Sequence, residues 1–150
     1  MMQIRQARPE DAHFIVQSQI AMAMETEGLR LDPAIVEKGV SAVFDDLSIG
    51  AYYVAKGEEG ALLGCLLTLP EWSDWRNGKV IWIHSVYILP AFRRQGVFRK
   101  LYAHLRALVE SDVSLRGLRL YVERKNSNAQ AVYVNFGMTK EHYELYEWLK

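Results

Sequence analysis

Two segments of this 150-residue chain gather residues that can do chemistry. The first is Pro90-Ala91-Phe92-Arg93-Arg94-Gln95-Gly96-Val97-Phe98-Arg99-Lys100-Leu101, where an apolar strand pattern gives way to a helical one. A helix start presents backbone N–H groups with no partner, and the helix dipole adds partial positive charge, so such a joint can hold an anion. Gly96 frees the turn and keeps a side chain out of the approach path. Arg93, Arg94, Arg99 and Lys100 concentrate positive charge there. The chemistry that fits is a phosphate or diphosphate cradle; the plain alternative is a glycine turn with solvated basic residues. The segment lacks the Gly-Lys-Ser/Thr of a P-loop and the three glycines of a dinucleotide fingerprint. The second segment runs from Tyr121 to Met138, where a strand ends, Asn126-Ser127-Asn128 caps a short helix, and Tyr133 precedes Gly137. Alone, these asparagines read as ordinary caps and Tyr133 as a core residue.

The elements that must position these segments follow from apolar spacing. Gln3–Arg8 predicts a first strand. Pro9-Glu10-Asp11 opens a helix to about Glu25, and Asp32 with Pro33 opens a second. Residues 50–55 and 61–69 read as a hairpin around Lys56–Gly60, and Pro70–Gly78 as a loop with two tryptophans. Val80–Leu89 is the strongest strand pattern. Strict alternation puts Val80, Trp82, His84, Val86 and Ile88 on one face and Ile81, Ile83, Ser85, Tyr87 and Leu89 on the other. A helix over 97–111, a strand over Leu118–Glu123, a helix over 129–135 and a last strand near Tyr143–Trp148 complete the pattern. The order β-α-α-β-β-β-α-β-α-β predicts an α/β (α+β) fold with a mixed, mostly antiparallel central sheet and helices on both faces.

Composition narrows the function classes. The chain is 50% hydrophobic, and 18 basic residues balance 18 acidic ones. That is core-forming rather than disordered, and it lacks the basic excess of a non-specific nucleic-acid binder. No apolar run approaches the roughly 20 residues of a membrane helix, and the N-terminus has no signal-peptide pattern. The single Cys65 leaves no internal disulfide and no cysteine-cluster metal site. The expectation is one cytoplasmic domain, residues 1–150, with no metal, membrane or nucleic-acid partner.

Taken together, Arg93-x-x-Gly96-x-Phe98 and Asn126-x-x-Ala129-x-x-x-Tyr133-x-x-x-Gly137 resemble the GNAT superfamily of N-acetyltransferases over essentially the whole chain. Phe98 stands where that family has a small residue, and Met138 where it has Phe. The resemblance implies acetyl-CoA as cosubstrate, with acetyl transferred directly to a primary amine. By the same resemblance, Val86, Tyr87 and Ile88 would meet the pantetheine arm and the acetyl carbonyl through strand backbone. Arg93, Arg94, Gln95, Gly96, Val97 and Phe98 would hold the diphosphate, and Asn126 would contact the coenzyme. Tyr133 would be the general acid.

The base is open. The family's glutamate position is Tyr121 here, so His84 on the central strand is the first candidate and Glu71 in the tryptophan loop the second. Glu25, Glu27, Glu71 and Asp74 would line the mouth for a small-molecule amine, with Trp72 or Trp75 adding a cation–π face. A protein lysine or α-amine is the alternative acceptor, and a non-catalytic acyl-CoA-binding module the alternative class. Aromatic residues of the last strand could help a homodimer form.

Overall fold

A computed structural model describes all 150 residues. They group into two compact units, Met1–Leu120 and Tyr121–Lys150. In the first unit the order is β1 (Gln3–Gln6), α1 (Ala12–Glu27), α2 (Pro33–Asp45), β2 (Ala51–Lys56), β3 (Leu62–Ser73), β4 (Gly78–Ile88), α3 (Val97–Ser111) and β5 (Leu115–Leu120). The sheet runs β1-β2-β3-β4-β5, antiparallel except for the parallel pair β4–β5, which α3 connects. A parallel neighbour requires such a crossover, and here a helix supplies it. The mixed sheet is therefore the one expected.

Each face of the sheet has its own helical cover. Tyr52, Val54, Cys65 and Tyr87 pack in one cluster with Ile15 and Val16 of α1 and Val40 and Val43 of α2. Buried Val97, Leu101 and Leu105 are the inward stripe of α3, and its His104 ring meets Tyr53 at 5.6 Å. Tyr53 pairs with Leu66, the alternate residue to Cys65, so α3 lies on the opposite face. No helix is long and apolar enough to cross a membrane.

Three of the boundaries that differ from expectation bear on the site; β1, expected to Arg8, simply stops at Gln6. The stretch 70–78 is not one long loop: β3 continues to Ser73, and Gly78 already pairs with it, leaving 74–77 as the turn. Pro70 is tolerated because β2 stops at the Ala51–Thr68 pair, so β3 has an open edge there. The Leu63 carbonyl accepts from Leu89, and alternation from it turns residue 70 towards that open side. Next, β5 begins at Leu115 and ends at Leu120, because its pairing with β4 begins at Lys79 and stops at Ile83. Lastly, α1 continues through Glu27, closed by Gly28 at φ 62° with its N–H on the Met24 carbonyl. Glu25 and Glu27 thus sit in the last helical turn.

The second unit holds α4 (Ser127–Asn135), which Gly137 (φ 85°) follows. The strand expected at Tyr143–Trp148 is not formed. A strand exists only through a partner's backbone groups, and no ladder reaches these residues. Tyr143, Tyr146 and Trp148 are exposed, and Arg124 pairs with Glu144.

Candidate functional site

A bulge in β4 sets the geometry of the first unit's site. Thr68 pairs with Ile83 and Leu67 with His84, but the next pair is Cys65 with Tyr87. One extra residue enters β4 between them, and Ser85 takes φ 51°. Paired residues share a face, so His84 and Tyr87 lie on the α1/α2 side, while Ile83 and Ile88 lie on the other. The predicted alternation therefore fails at Ser85, and His84 does not share a face with Ile88. Gly64 makes this crossing possible. A Cβ there would lie 2.6 Å from Ile88 Cδ1 and 2.8 Å from the Tyr87 carbonyl oxygen.

Beyond the bulge β4 parts from β5. Their ladder ends at the Ile83–Leu120 pair. Leu89 N–H donates to the Leu63 carbonyl, so alternation turns the Ile88 amide away from β3, towards the edge that β5 has left. A strand with an open inner edge offers backbone donors to a ligand lying along it.

The turn after β4 is the second half of this site. Pro90–Phe92 form one 3-10 turn, Arg94 has φ 61° and Gly96 φ 80°. The first backbone bond inside α3 is Lys100 N–H to the Gly96 carbonyl, and no side chain caps the helix. The amides of Val97, Phe98 and Arg99 therefore precede the hydrogen-bonded part of the helix. Nothing lies within 4 Å of where a Gly96 Cβ would be, so the approach is open. Arg94, Gln95, Arg99 and Lys100 are exposed around it, and Gln95 donates to the Ala91 carbonyl. Phe98 is half-buried and leans on Tyr102 with ring centroids 6.5 Å apart. Val97 is buried, so its side chain anchors the helix and only its backbone is available. A helix start with no side-chain cap and the exposed cations Arg94, Arg99 and Lys100 beside it suit a diphosphate.

Two carboxylates expected at the acceptor mouth are already engaged. Glu25 accepts from the Tyr87 hydroxyl at 2.8 Å and from the Arg93 guanidinium at 2.7 Å. The Arg93 contact foremost, then Tyr87, holds the Glu25 carboxyl below its ordinary range. Glu71, on β3 rather than in a loop, accepts from Arg119 at 2.9 Å and from Trp82 Nε1 at 3.1 Å. Arg119 also lies over the Trp82 ring at 5.9 Å. The His84 ring is tilted against Trp82 at 6.2 Å, and burial lowers its pKa. Asp74 accepts from the Trp75 amide, and Trp72 and Trp75 are exposed. Cys65 is fully buried and burial pushes its thiol up to about 11, which leaves it inert.

In the second unit, Asn126 caps α4, its Oδ1 accepting from the Ala129 amide at 3.1 Å. Gln130 ties the preceding turn by donating to the Arg124 carbonyl. Tyr133 lies mid-helix, half-buried, and burial raises its pKa.

Sequence reasoning missed Ser85 and Arg119. Each left a signal: a small polar residue inside a strand apolar on both sides, and a cation inside Leu115–Leu120.

A mixed sheet whose β4–β5 ladder stops just before a bulge, followed by the turn into α3, defines the class: a mixed α/β fold. Residues 23–138 match the acetyltransferase (GNAT) family. The chain is similar to the crystal structure of a possible acetyltransferase from Clostridium difficile 630 (37% identity, TM-score 0.91, 100% of this chain and 98% of that one). Its fold is also that of AAC(6')-Iy in complex with the bisubstrate analog CoA-S-monomethyl-acetylneamine (14%, TM-score 0.77, covering 100% and 99%). Glucosamine-6-phosphate N-acetyltransferase from Arabidopsis thaliana shares it too (15%, TM-score 0.74, covering 100% and 99%). No curated protein matches the chain in sequence. The chain belongs to the GNAT acetyltransferase family, and it is an N-acetyltransferase that uses acetyl-CoA.

Proposed function

We propose that this acetyltransferase moves the acetyl group of acetyl-CoA directly onto a primary amine of a small molecule, with residues 1–150 acting as one domain. The observation that carries the reading is the pairing of an opened β4 edge with the uncapped start of α3. Backbone amides at Val97, Phe98 and Arg99, with the 93–96 turn, form the diphosphate cradle, and Arg94 and Gln95 flank it. Backbone groups of Val86, Tyr87 and Ile88 receive the pantetheine arm. The Ile88 amide points where an already oriented donor can stabilise developing negative charge. When bound, acetyl-CoA supplies the activated acyl group. Asn126 contacts the coenzyme through the α4 cap, and Tyr133 holds the proton for the departing thiolate. His84, neutral at pH 7 because burial lowers its pKa, takes the proton of the amine. Glu71 is the weaker base candidate because Arg119 and Trp82 already occupy its two oxygens.

Fold neighbours whose names carry neamine and glucosamine-6-phosphate support a small amine acceptor. Fold alone does not transfer substrate. The paired state of Glu25 and Glu71 argues for an acceptor of low charge over a polyamine. We place the protein in the cytoplasm, where the Cys65 thiol stays reduced. The exposed Tyr143, Tyr146 and Trp148 are the contact surface we assign to a homodimer, which light scattering would test.

The deciding experiment is thermal melting with acetyl-CoA, CoA and an amine panel, followed by thiol release. Ligand at 100 times its Kd adds about 2.7 kcal/mol, or roughly 5–11 °C for a chain of this size. Absence of a shift with CoA refutes the reading. A shift without thiol release from any amine or peptide makes the protein a binding module, and release only with peptides makes the acceptor a protein.

A further inference from the structure

Arg93 opens the Arg-x-x-Gly motif, and its obvious use is to meet the diphosphate by charge. Its side chain is placed otherwise. Nε donates to the Ile88 carbonyl at 2.9 Å and Nη2 to Glu25 Oε2 at 2.7 Å. The guanidinium carbon stands 5.5 Å from the centroid of the Tyr87 ring. The other Glu25 oxygen accepts from the Tyr87 hydroxyl. The four groups close a ring that joins the last turn of α1, the last two residues of β4 and the turn before α3.

We infer that Glu25 and Arg93 are positioning residues. They fix the Tyr87–Ile88 end of β4, and with it the grip on the pantetheine arm, rather than binding the diphosphate. The inference rests on the acetyl-CoA reading above. Three facts support it. A guanidinium already paired with a carboxylate offers a diphosphate much less attraction than exposed Arg94 or Arg99, which pair with no carboxylate. The Ile88 carbonyl shares its peptide plane with the Leu89 N–H, which points to Leu63, so the carbonyl faces the open edge beside the Ile88 amide, and anchoring it sets where that amide points. The pair is also poorly suited to holding the fold: both side chains are 40–44% exposed, and exposed ion pairs add little to stability. Tyr87 differs, being 6% exposed, so its hydroxyl gives the carboxylate one fixed, desolvated anchor.

The test compares two probes by calorimetric titration: CoA, and adenosine 3′-phosphate 5′-diphosphate, which keeps the nucleotide and diphosphate but lacks the pantetheine arm. Arg93→Ala and Glu25→Gln are each expected to weaken CoA about 3–10-fold, while the nucleotide binds within twofold of wild type. Tyr87→Phe, which keeps the buried ring, moves CoA in the same direction by less. Arg94→Ala weakens both probes alike. Equal loss of both probes in Arg93→Ala would overturn the inference. So would tighter binding of both in Glu25→Gln, since that is what an arginine released from its carboxylate towards phosphate would do. Unchanged CoA affinity in both variants overturns it as well. Wild-type protein that binds neither probe removes the acetyl-CoA reading itself, and this inference with it.

Discussion

His84 and Tyr87, three residues apart, project from the same face of β4. Ordinary alternation forbids this, and the bulge at Ser85 permits it. The consequence is functional. One face of β4 carries His84 against Trp82 and then Tyr87 on Glu25, while the edge beyond the bulge no longer pairs with β5.

Ser85 holds φ 51°, a region that costs a residue with Cβ about 1–2 kcal/mol. Ser85→Gly is therefore expected to retain turnover and lose no stability, since relief of strain offsets glycine's extra unfolded-state freedom. Ser85→Val cannot hold that φ and is expected to lose at least tenfold in kcat/KM as β4 shifts register. A Ser85→Val enzyme with wild-type kcat/KM would show that the bulge is not needed for the reaction.

Burial lowers the His84 pKa, so the folded state resists protonation there. The ordinary histidine value is about 6.5. The stability contributed by keeping this ring neutral is present above that pH and declines as pH falls from it towards the folded pKa. If His84 is the base, kcat/KM has an acid limb with an apparent pKa under about 6.5, and His84→Ala removes that limb. Persistence of the limb in both His84→Ala and Glu71→Gln assigns the proton to solvent.

Tyr133 has its pKa raised by burial, so the phenol stays protonated across the usual assay range. As general acid it gives no alkaline limb below about pH 10. Tyr133→Phe is expected to lower kcat by about 10²–10⁴ with CoA affinity unchanged within twofold. Equal kcat in the two proteins would remove Tyr133 from the step.

Much of this arrangement was legible from residue types. Asp32-Pro33 and Gly96 mark helix starts because their chemistry is local, and α3 falls at 97–111 as its apolar spacing predicts. The glycine turn at Gly96, with φ 80°, was legible for the same reason. The bulge was not, since a register shift is a property of two strands and Ser85 alone does not declare it. Nor was the pairing of Glu25 with Arg93, 68 positions apart, or of Glu71 with Arg119, 48 apart. Those carboxylates looked free for an acceptor because sequence shows charges without their partners. The last strand failed for a related reason: the aromatic and apolar residues at 143–148 fit a strand, but only a neighbouring ladder makes one.

A last prediction concerns the fold beneath the site. Asp11, 5% exposed, accepts two parallel bonds from Arg5, at 2.7 and 3.0 Å, and a third from the Arg8 amide at 2.7 Å. It ties β1 to the start of α1, the helix whose far end presents Glu25. Burial pushes its pKa up, but the Arg5 fork and the Arg8 amide outweigh this, and the net pKa is lowered. A depressed carboxylate contributes stability that is complete above its unfolded value of about 3.9 and vanishes as pH drops through the folded one. Asp11→Asn leaves Arg5 without its counter-charge in a mostly buried place, at a cost of about 3 kcal/mol, or roughly 6–12 °C in Tm at pH 7. Because the variant cannot titrate, the gap between the two melting curves must narrow in strong acid. A gap that stays constant from pH 7 to pH 2 would mean that Asp11 stabilises by shape and hydrogen bonding alone, with no part played by its charge.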